Sequence, residues 1–341
     1  MNENLIFEAI SQAKAGKDLD SETASGAIDA MLSGQTDDDS IAELLLALKQ
    51  KGESVSELVG AASAMRRHMT RISHDHEVLL DTCGTGGAGS GTFNISTAIA
   101  ITASACGVAV AKHGNRKVSS NTGSADVLEV LGVPMQDNAD IVSKSLNQIG
   151  ICFCYARALH PAMRHVGAVR QKLGVKTLFN WLGPLCNPAG ATHQLLGVSS
   201  EEGAEKVASA VQQLGVKAAW VVHGEDGQDE VSLAGKTLVW KVDASGIEKQ
   251  SIAPEDFGLA KITDPKSIEA SGPEASAEII RSIFAGQAGA PRDTVVAGTA
   301  CALALVGQVS DLKEGVAAAE SAIDLGAASM KLDKLVETFK G

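Results

Sequence analysis

The residues with chemistry to offer fall in a few short stretches. Gly84-Thr85-Gly86-Gly87-Ala88-Gly89 is a loop almost without side chains, and Asn94, Ser96 and Thr97 follow it at the head of an Ala/Ile-rich segment. Glycines let backbone N–H groups approach a ligand closely, and a helix start adds unpaired donors and partial positive charge. Hydroxyl and amide side chains there serve as caps or as further donors. Lys112-His113-Gly114-Asn115-Arg116, with the hydroxyl pair Ser119-Ser120 behind it, brings full positive charge from a second strand end. One glycine-rich loop would read as an ordinary turn. Two such loops on successive strand ends point to a phosphate-bearing ligand.

Three more clusters matter. Gly123-Ser124-Ala125-Asp126 opens a helix; the Ser124 hydroxyl is expected to cap it, with a third anion contact as the alternative. His160-Pro161-Ala162-Met163-Arg164 leads to Arg170, about three turns further along one expected helix. The loop Gly183-Pro184-Leu185-Cys186-Asn187-Pro188 beyond it reads equally as a pocket wall or as surface. Finally, Asp229-Glu230 follows a strand. Alone such a pair is a solvated acidic turn, but Mg²⁺ takes one or two carboxylates plus substrate phosphates, so phosphate loops in the same chain favour a metal site.

The elements that must position these residues show in the periodicity. Residues 1–72 read as four helices, with apolar positions at helical spacing over 5–13, 24–32, 41–48 and 55–69. Asp37-Asp38-Asp39 offers caps for the third, and Ser54 with Glu57 a capping box for the fourth. Such a helical module serves as a dimer interface or packs on its own second domain. From Glu77 onward strands alternate with helices, the pattern of an α/β domain. Strands are expected near 78–82, 108–112, 151–155, 194–198, 218–223 and 236–242. Helices are expected near 95–106, 124–131, 138–149, 161–173, 202–214, 275–285, 293–307 and 313–325. Residues 226–229 read as an exposed turn, and the polar stretch 245–264 as a surface loop.

Composition narrows the function classes. The 341 residues suffice for two domains, and 45% hydrophobic with 21% charged is an ordinary globular balance. A net charge of −12 and only 3% aromatic residues argue against a nucleic-acid partner, which calls for a basic surface and stacking platforms. No apolar run approaches a membrane span, and the N-terminus lacks the basic and apolar regions of a signal peptide. Cys83, Cys106, Cys152, Cys154, Cys186 and Cys301 sit mostly in apolar segments without CxxC spacing, so they read as reduced core thiols of a cytoplasmic protein. Cys152 and Cys154 share a strand face, where packing is the expected role.

In their order, Gly84-Thr85-Gly86-Gly87, Asn94-Ile95-Ser96-Thr97, Lys112 to Arg116, Ser119-Ser120, His160-Pro161-Ala162-Met163, Gly183-Pro184-Leu185 and Asp229-Glu230 resemble the anthranilate phosphoribosyltransferase family over nearly the whole chain. The resemblance implies a small helical N-terminal domain, 1–72, joined by part of 161–190. It also implies a larger α/β domain, 73–341, with a central mixed sheet flanked by helices, a substrate cleft between the two, and a homodimer through the helical part. It implies that Gly84, Gly86, Gly87, Thr92, Asn94, Ser96, Thr97, Lys112 and Ser124 bind phosphoribosyl pyrophosphate, and that Ser96, Asp229 and Glu230 bind Mg²⁺. Gly84, His113, Asn115, His160, Arg170 and Pro184 would serve anthranilate. Arg170 would read its carboxylate, since a guanidinium pairs with a carboxylate through two parallel bonds. His113 and Arg170 are the candidate catalytic residues, His113 for late proton removal or, as the favoured role, a positioning hydrogen bond. Two departures stand out: Ala88 replaces an acidic residue after GTGG, and Arg157 replaces a proline before His160.

Two rival readings remain. A pyrimidine nucleoside phosphorylase-like enzyme would share the fold and the Lys-His segment but would not need Asp229-Glu230. A non-catalytic, nucleic-acid-binding paralogue would sit poorly with the acidic charge and the retained Lys112, Arg170 and Asp229-Glu230.

Overall fold

The computed structural model describes residues 2–86, 91–117 and 122–340. Gly87, Ala88, Gly89, Ser119 and Ser120 lie outside the described residues. Four helices open the chain: α1 Asn2–Lys14, α2 Ser21–Leu32, α3 Asp38–Lys51 and α4 Val55–His68. Asp20 and Asp37 cap α2 and α3 through their side chains, and Ser54 with Glu57 forms the expected capping box on α4. Glu57 is fully buried and also accepts from the Leu19 N–H and from Lys51, so the cap doubles as a tie between loops.

The rest alternates: β1 Leu80–Gly84, α5 Ile95–Ala105, β2 Val110–Gly114, α6 Ser124–Leu131, α7 Ala139–Ile149, β3 Ile151–Tyr155, α8 Ala156–Leu159, α9 Arg164–Leu173, β4 His193–Gly197, α10 Glu201–Gln213, β5 Ala218–Gly224, β6 Thr237–Asp243, β7 Gly246–Ile252, α11 Pro254–Phe257, α12 Pro273–Phe284, α13 Ala290–Leu305, α14 Leu312–Asp324 and α15 Ala327–Lys340. The seven strands form one mixed sheet in the order β3-β2-β1-β4-β5-β6-β7. β1 to β5 run parallel and β6 and β7 are antiparallel additions.

Alternate side chains feed two cores. On β4 and β5, Leu195, Trp220 and Val222 enter the core beneath α5 and α12–α15, whereas Leu196, Ala219 and Val221 face α10 and the N-terminal helices. That second core also takes in Val166 and Val169 of α9 and Leu178, Phe179, Leu182, Leu185 and Cys186 of the following loop. α5 is buried nearly all round, as its unbroken Ala/Ile run requires.

Four expectations need correction. The stretch 245–264 is not a loop: β7 pairs with β6 across a two-residue turn, and α11 follows. β7 is an edge strand with mostly exposed side chains, so no apolar alternation marked it. The helix expected over 161–173 opens as a 3-10 turn, Pro161–Met163, which puts His160 ahead of α9. Gly123, not Ser124, is the N-cap of α6, and the Asp126 carboxylate takes the Gly123 and Lys117 N–H groups at 3.2 and 2.8 Å. The amphipathic α15, beyond the last expected helix, closes the larger core with Leu332, Leu335 and Phe339.

Candidate active site

β1 is the strand from which the chain winds both ways, to β2 and β3 on one side and to β4 and β5 on the other. Open α/β sheets bind ligands at such a switch, outside the carboxyl ends of the strands. A cleft of about 310 Å³ lies there, between the ends of β1 and β2, the start of α5, α9 and the loop after β5.

The first wall is the end of β1 and the start of α5. Gly84 opposes Gly197 in register, and Cβ atoms at either position would press on the other strand end or on Asp229. Asn94 caps α5 by position without a side-chain bond to a backbone N–H of the helix; its Oδ1 instead accepts from the Thr97 hydroxyl. Gly84, Gly86, Thr92, Asn94 and Ser96 face the cleft, while Thr97 is buried behind them.

The second wall is the end of β2. Lys112 is buried, donating to the Thr82 carbonyl at 2.6 Å and to Ser96 Oγ at 3.1 Å, so both phosphate-type loops meet at its ammonium. Arg116 is not the free cation its sequence position suggested. It lines the cleft, but its guanidinium binds Glu129 at 2.6 and 2.7 Å, Asp126 at 3.0 Å and the Tyr155 hydroxyl at 3.2 Å. Gly114 is required here, because a Cβ would overlap Ser124 Oγ and crowd Phe153.

His113 Nδ1 lies 2.8 Å from the Gly183 carbonyl, which can only accept, so this nitrogen carries the proton. Its Nε2 is 3.1 Å from His160 Nε2. Both imidazoles are held neutral: burial, opposed by Asp81, pulls His113 down, and burial with the neighbouring His113 pulls His160 to about 3. Neutrality makes His160 Nε2–H the donor and leaves His160 Nδ1 as the lone pair without a hydrogen bond. His113 faces the cleft; His160 is buried behind it, as is Pro184, whose carbonyl accepts from Gln194 Nε2 at 2.6 Å.

Arg170 enters from the last turn of α9. Its guanidinium lies 5.2 Å from the centre of the Phe179 ring and 3.4 Å from Asn180 Oδ1. Burial draws its pKa below the ordinary value, and no carboxylate pairs with it among the described residues. Facing the Gly84 side are Asp229 and Glu230, half-buried in the loop after β5. Desolvation raises both; Glu230 reaches about 8, with the Asp229 charge second, against Lys112 and the Ser96 backbone N–H.

The cleft thus gathers Gly84, Gly86, Thr92, Asn94, Ser96, Lys112, His113, Asn115, Ser124, Arg170, Asp229 and Glu230. Sequence reasoning passed over Asp81 and Gln194, and read Asn187 only as part of a loop. All three are buried below the cleft floor, and the one signal in sequence was a carboxylate inside an otherwise apolar strand.

Residues 7–69 match the helical bundle domain of the glycosyl transferase family and residues 76–329 match its a/b domain. The chain is 59% identical to the anthranilate phosphoribosyltransferase of Rhodopirellula baltica over 97% of its own length and 96% of the relative's. Among solved structures, the Thermus thermophilus anthranilate phosphoribosyltransferase superposes with a TM-score of 0.90 at 39% identity, covering 98% of this chain and 99% of that one. The Saccharomyces cerevisiae enzyme in complex with PRPP and Mg gives 0.91 at 29%, covering 99% and 98%. On this fold, this cleft and these likenesses together, the chain belongs to the anthranilate phosphoribosyltransferase family.

Proposed function

We propose that the two walls of the cleft divide the family's reaction between them. The enzyme transfers the phosphoribosyl group of phosphoribosyl pyrophosphate to the amine of anthranilate, giving N-(5-phosphoribosyl)anthranilate and pyrophosphate in tryptophan biosynthesis. Gly84, Gly86, Gly87, Thr92, Asn94, Ser96, Lys112 and Ser124 bind the donor, with Thr97 fixing Asn94 from behind. Asn115, His113 and Arg170 receive anthranilate, with His160 and Pro184 supporting them. The observation that carries this reading is Arg170, a partly buried guanidinium with no carboxylate partner among the described residues, lining one cleft with Lys112 and the Asp229–Glu230 pair.

Asp229, Glu230 and the Ser96 hydroxyl suit Mg²⁺. Burial raises both carboxylates and the Asp229 charge raises Glu230 further, a cost that a divalent cation offsets, and Mg²⁺ needs few protein ligands when phosphates supply the rest. The S. cerevisiae relative was solved with PRPP and Mg, and also with 4-fluoroanthranilate. Bound here, Mg²⁺ would neutralise charge on the departing pyrophosphate. Displacement at C1′ gathers positive charge on the sugar and negative charge on the leaving group, and Lys112 stabilises the latter. An aromatic amine is neutral at pH 7 and needs no strong base before attack, so positioning is the main remaining task. Both His113 nitrogens are engaged, and its role is to hold the 183–187 wall in place.

The helical module places Phe7 of α1 and Leu46 of α3 at the surface, 59% and 44% exposed, and we assign the homodimer contact to this face. No helix among the described residues is long and apolar enough to cross a membrane. The six cysteines are free thiols, in keeping with a reducing cytoplasm. The deciding assay follows anthranilate fluorescence. Loss of signal that requires phosphoribosyl pyrophosphate and Mg²⁺ together supports this assignment; phosphorolysis of a pyrimidine nucleoside instead would replace it.

A further inference from the structure

β1 and β2 are neighbours, but their ladder pairs only Leu80 with Val110, whereas β1–β4 and β2–β3 each pair along their whole length. Toward the cleft the two strands therefore part, and side chains span the gap. Asp81, with no exposed surface, accepts from the His113 backbone N–H at 3.0 Å through Oδ1 and from Asn187 Nδ2 at 2.8 Å through Oδ2. Asn187 Nδ2 also donates to the Ala111 carbonyl at 2.8 Å, and its Oδ1 accepts from the Ala189 N–H at 2.9 Å. One carboxylate and one amide thus serve the backbone groups of β2 that β1 does not reach, and tie them to the chain just beyond Gly183-Pro184. A buried carboxylate on a central strand is costly for stability alone, and an apolar residue would fill the space without that cost.

We propose that Asp81 is a positioning residue for the acceptor side of the cleft. Acting with Asn187, it holds β1 and β2 apart at the width the substrates need and sets the 183–187 wall against His113 and Asn115. The donor side keeps independent anchors, because Lys112 is fixed by the Thr82 carbonyl and the Ser96 hydroxyl. The inference rests on anthranilate occupying the Arg170 side, and Arg170→Ala in the same assay tests that reading separately.

The test is a swap. Asp81→Asn keeps size but replaces one acceptor by N–H, which then faces either the His113 N–H or Asn187 Nδ2. Asn187→Asp sets two carboxylates against each other. In the double variant the amide at position 81 can accept from His113 and donate to the carboxylate at position 187, and only the Ala111 carbonyl loses its donor. Each single variant is expected to raise KM for anthranilate by about tenfold or more, the effect of a misplaced buried polar group, with KM for phosphoribosyl pyrophosphate within about twofold. The double variant is expected to recover most of that loss. Unchanged anthranilate KM in the singles overturns the proposal, as does an equal rise in both KM values without recovery in the double. Should Asp81→Asn fail to fold, Asn187→Ser cuts the same tie from the loop side. The same split between the two KM values is then expected, and its absence overturns the proposal.

Discussion

At the scale of single residues, the site works by what is left unpaired and what is not. Arg116 is spent on Glu129, Asp126 and Tyr155, whereas Arg170 keeps its charge for a ligand. Arg170→Ala is expected to raise KM for anthranilate roughly 10- to 100-fold, the value of a charge-assisted pair, with little change for the donor; steady-state kinetics against each substrate checks this. Asp229→Ala or Glu230→Ala should instead raise the Mg²⁺ concentration needed for half-maximal turnover. His160 carries a pH signature. Its folded pKa of about 3 lies below the ordinary histidine value of 6.5, so the unfolded chain binds more protons in between. Its contribution to stability is therefore full above 6.5 and declines as pH falls towards 3, reaching a loss of about 2 kcal/mol by pH 5. His160→Gln, which can still donate to His113, should flatten that part of the acid dependence of the urea midpoint. An unchanged slope would place the acid sensitivity elsewhere.

At the scale of elements, strand ends set the geometry. Gly197 at the end of β4 has room for no side chain, since a Cβ would overlap the Asp229 carbonyl. Gly197→Ala should thus displace the loop that carries the carboxylate pair and lower kcat/KM roughly 10- to 100-fold, with a higher Mg²⁺ requirement. A variant with wild-type Mg²⁺ dependence would show that the loop yields without moving its carboxylates. The four N-terminal helices and the strand–helix alternation were legible in sequence because amphipathic periodicity and capping residues are local signals. β7 and the break after His160 were not. An edge strand with polar side chains carries no apolar rhythm, and a 3-10 turn differs from a helix start only in its bonding.

At the scale of the whole molecule, two cores on opposite faces of one sheet hold the cleft between the α9 side and the strand ends. α10 lies between the sheet and α4, so the N-terminal helices rest on the α/β part through a shared apolar layer. Phe7 and Leu46 remain outside it. Phe7→Glu with Leu46→Glu should turn a dimer into a monomer in sedimentation or light scattering while leaving the fold, read by circular dichroism, unchanged. A dimer that survives both charges would move the interface off this face.

The sequence by itself determined the chemistry on offer: glycine loops before a helix, a Lys-His strand end, a carboxylate pair and an arginine at the end of a helix. These are contiguous motifs, and contiguity is what a sequence displays. Only the tertiary structure decided how they were used. It paired Arg116 away and left Arg170 without a carboxylate partner among the described residues. It turned His113 and His160 into a neutral hydrogen-bonded pair, and put Asp81, Asn187 and Gln194 under the floor of the cleft. Those outcomes depend on groups dozens of residues apart meeting within hydrogen-bonding distance. Local propensity does not encode such meetings; the packing of the sheet does.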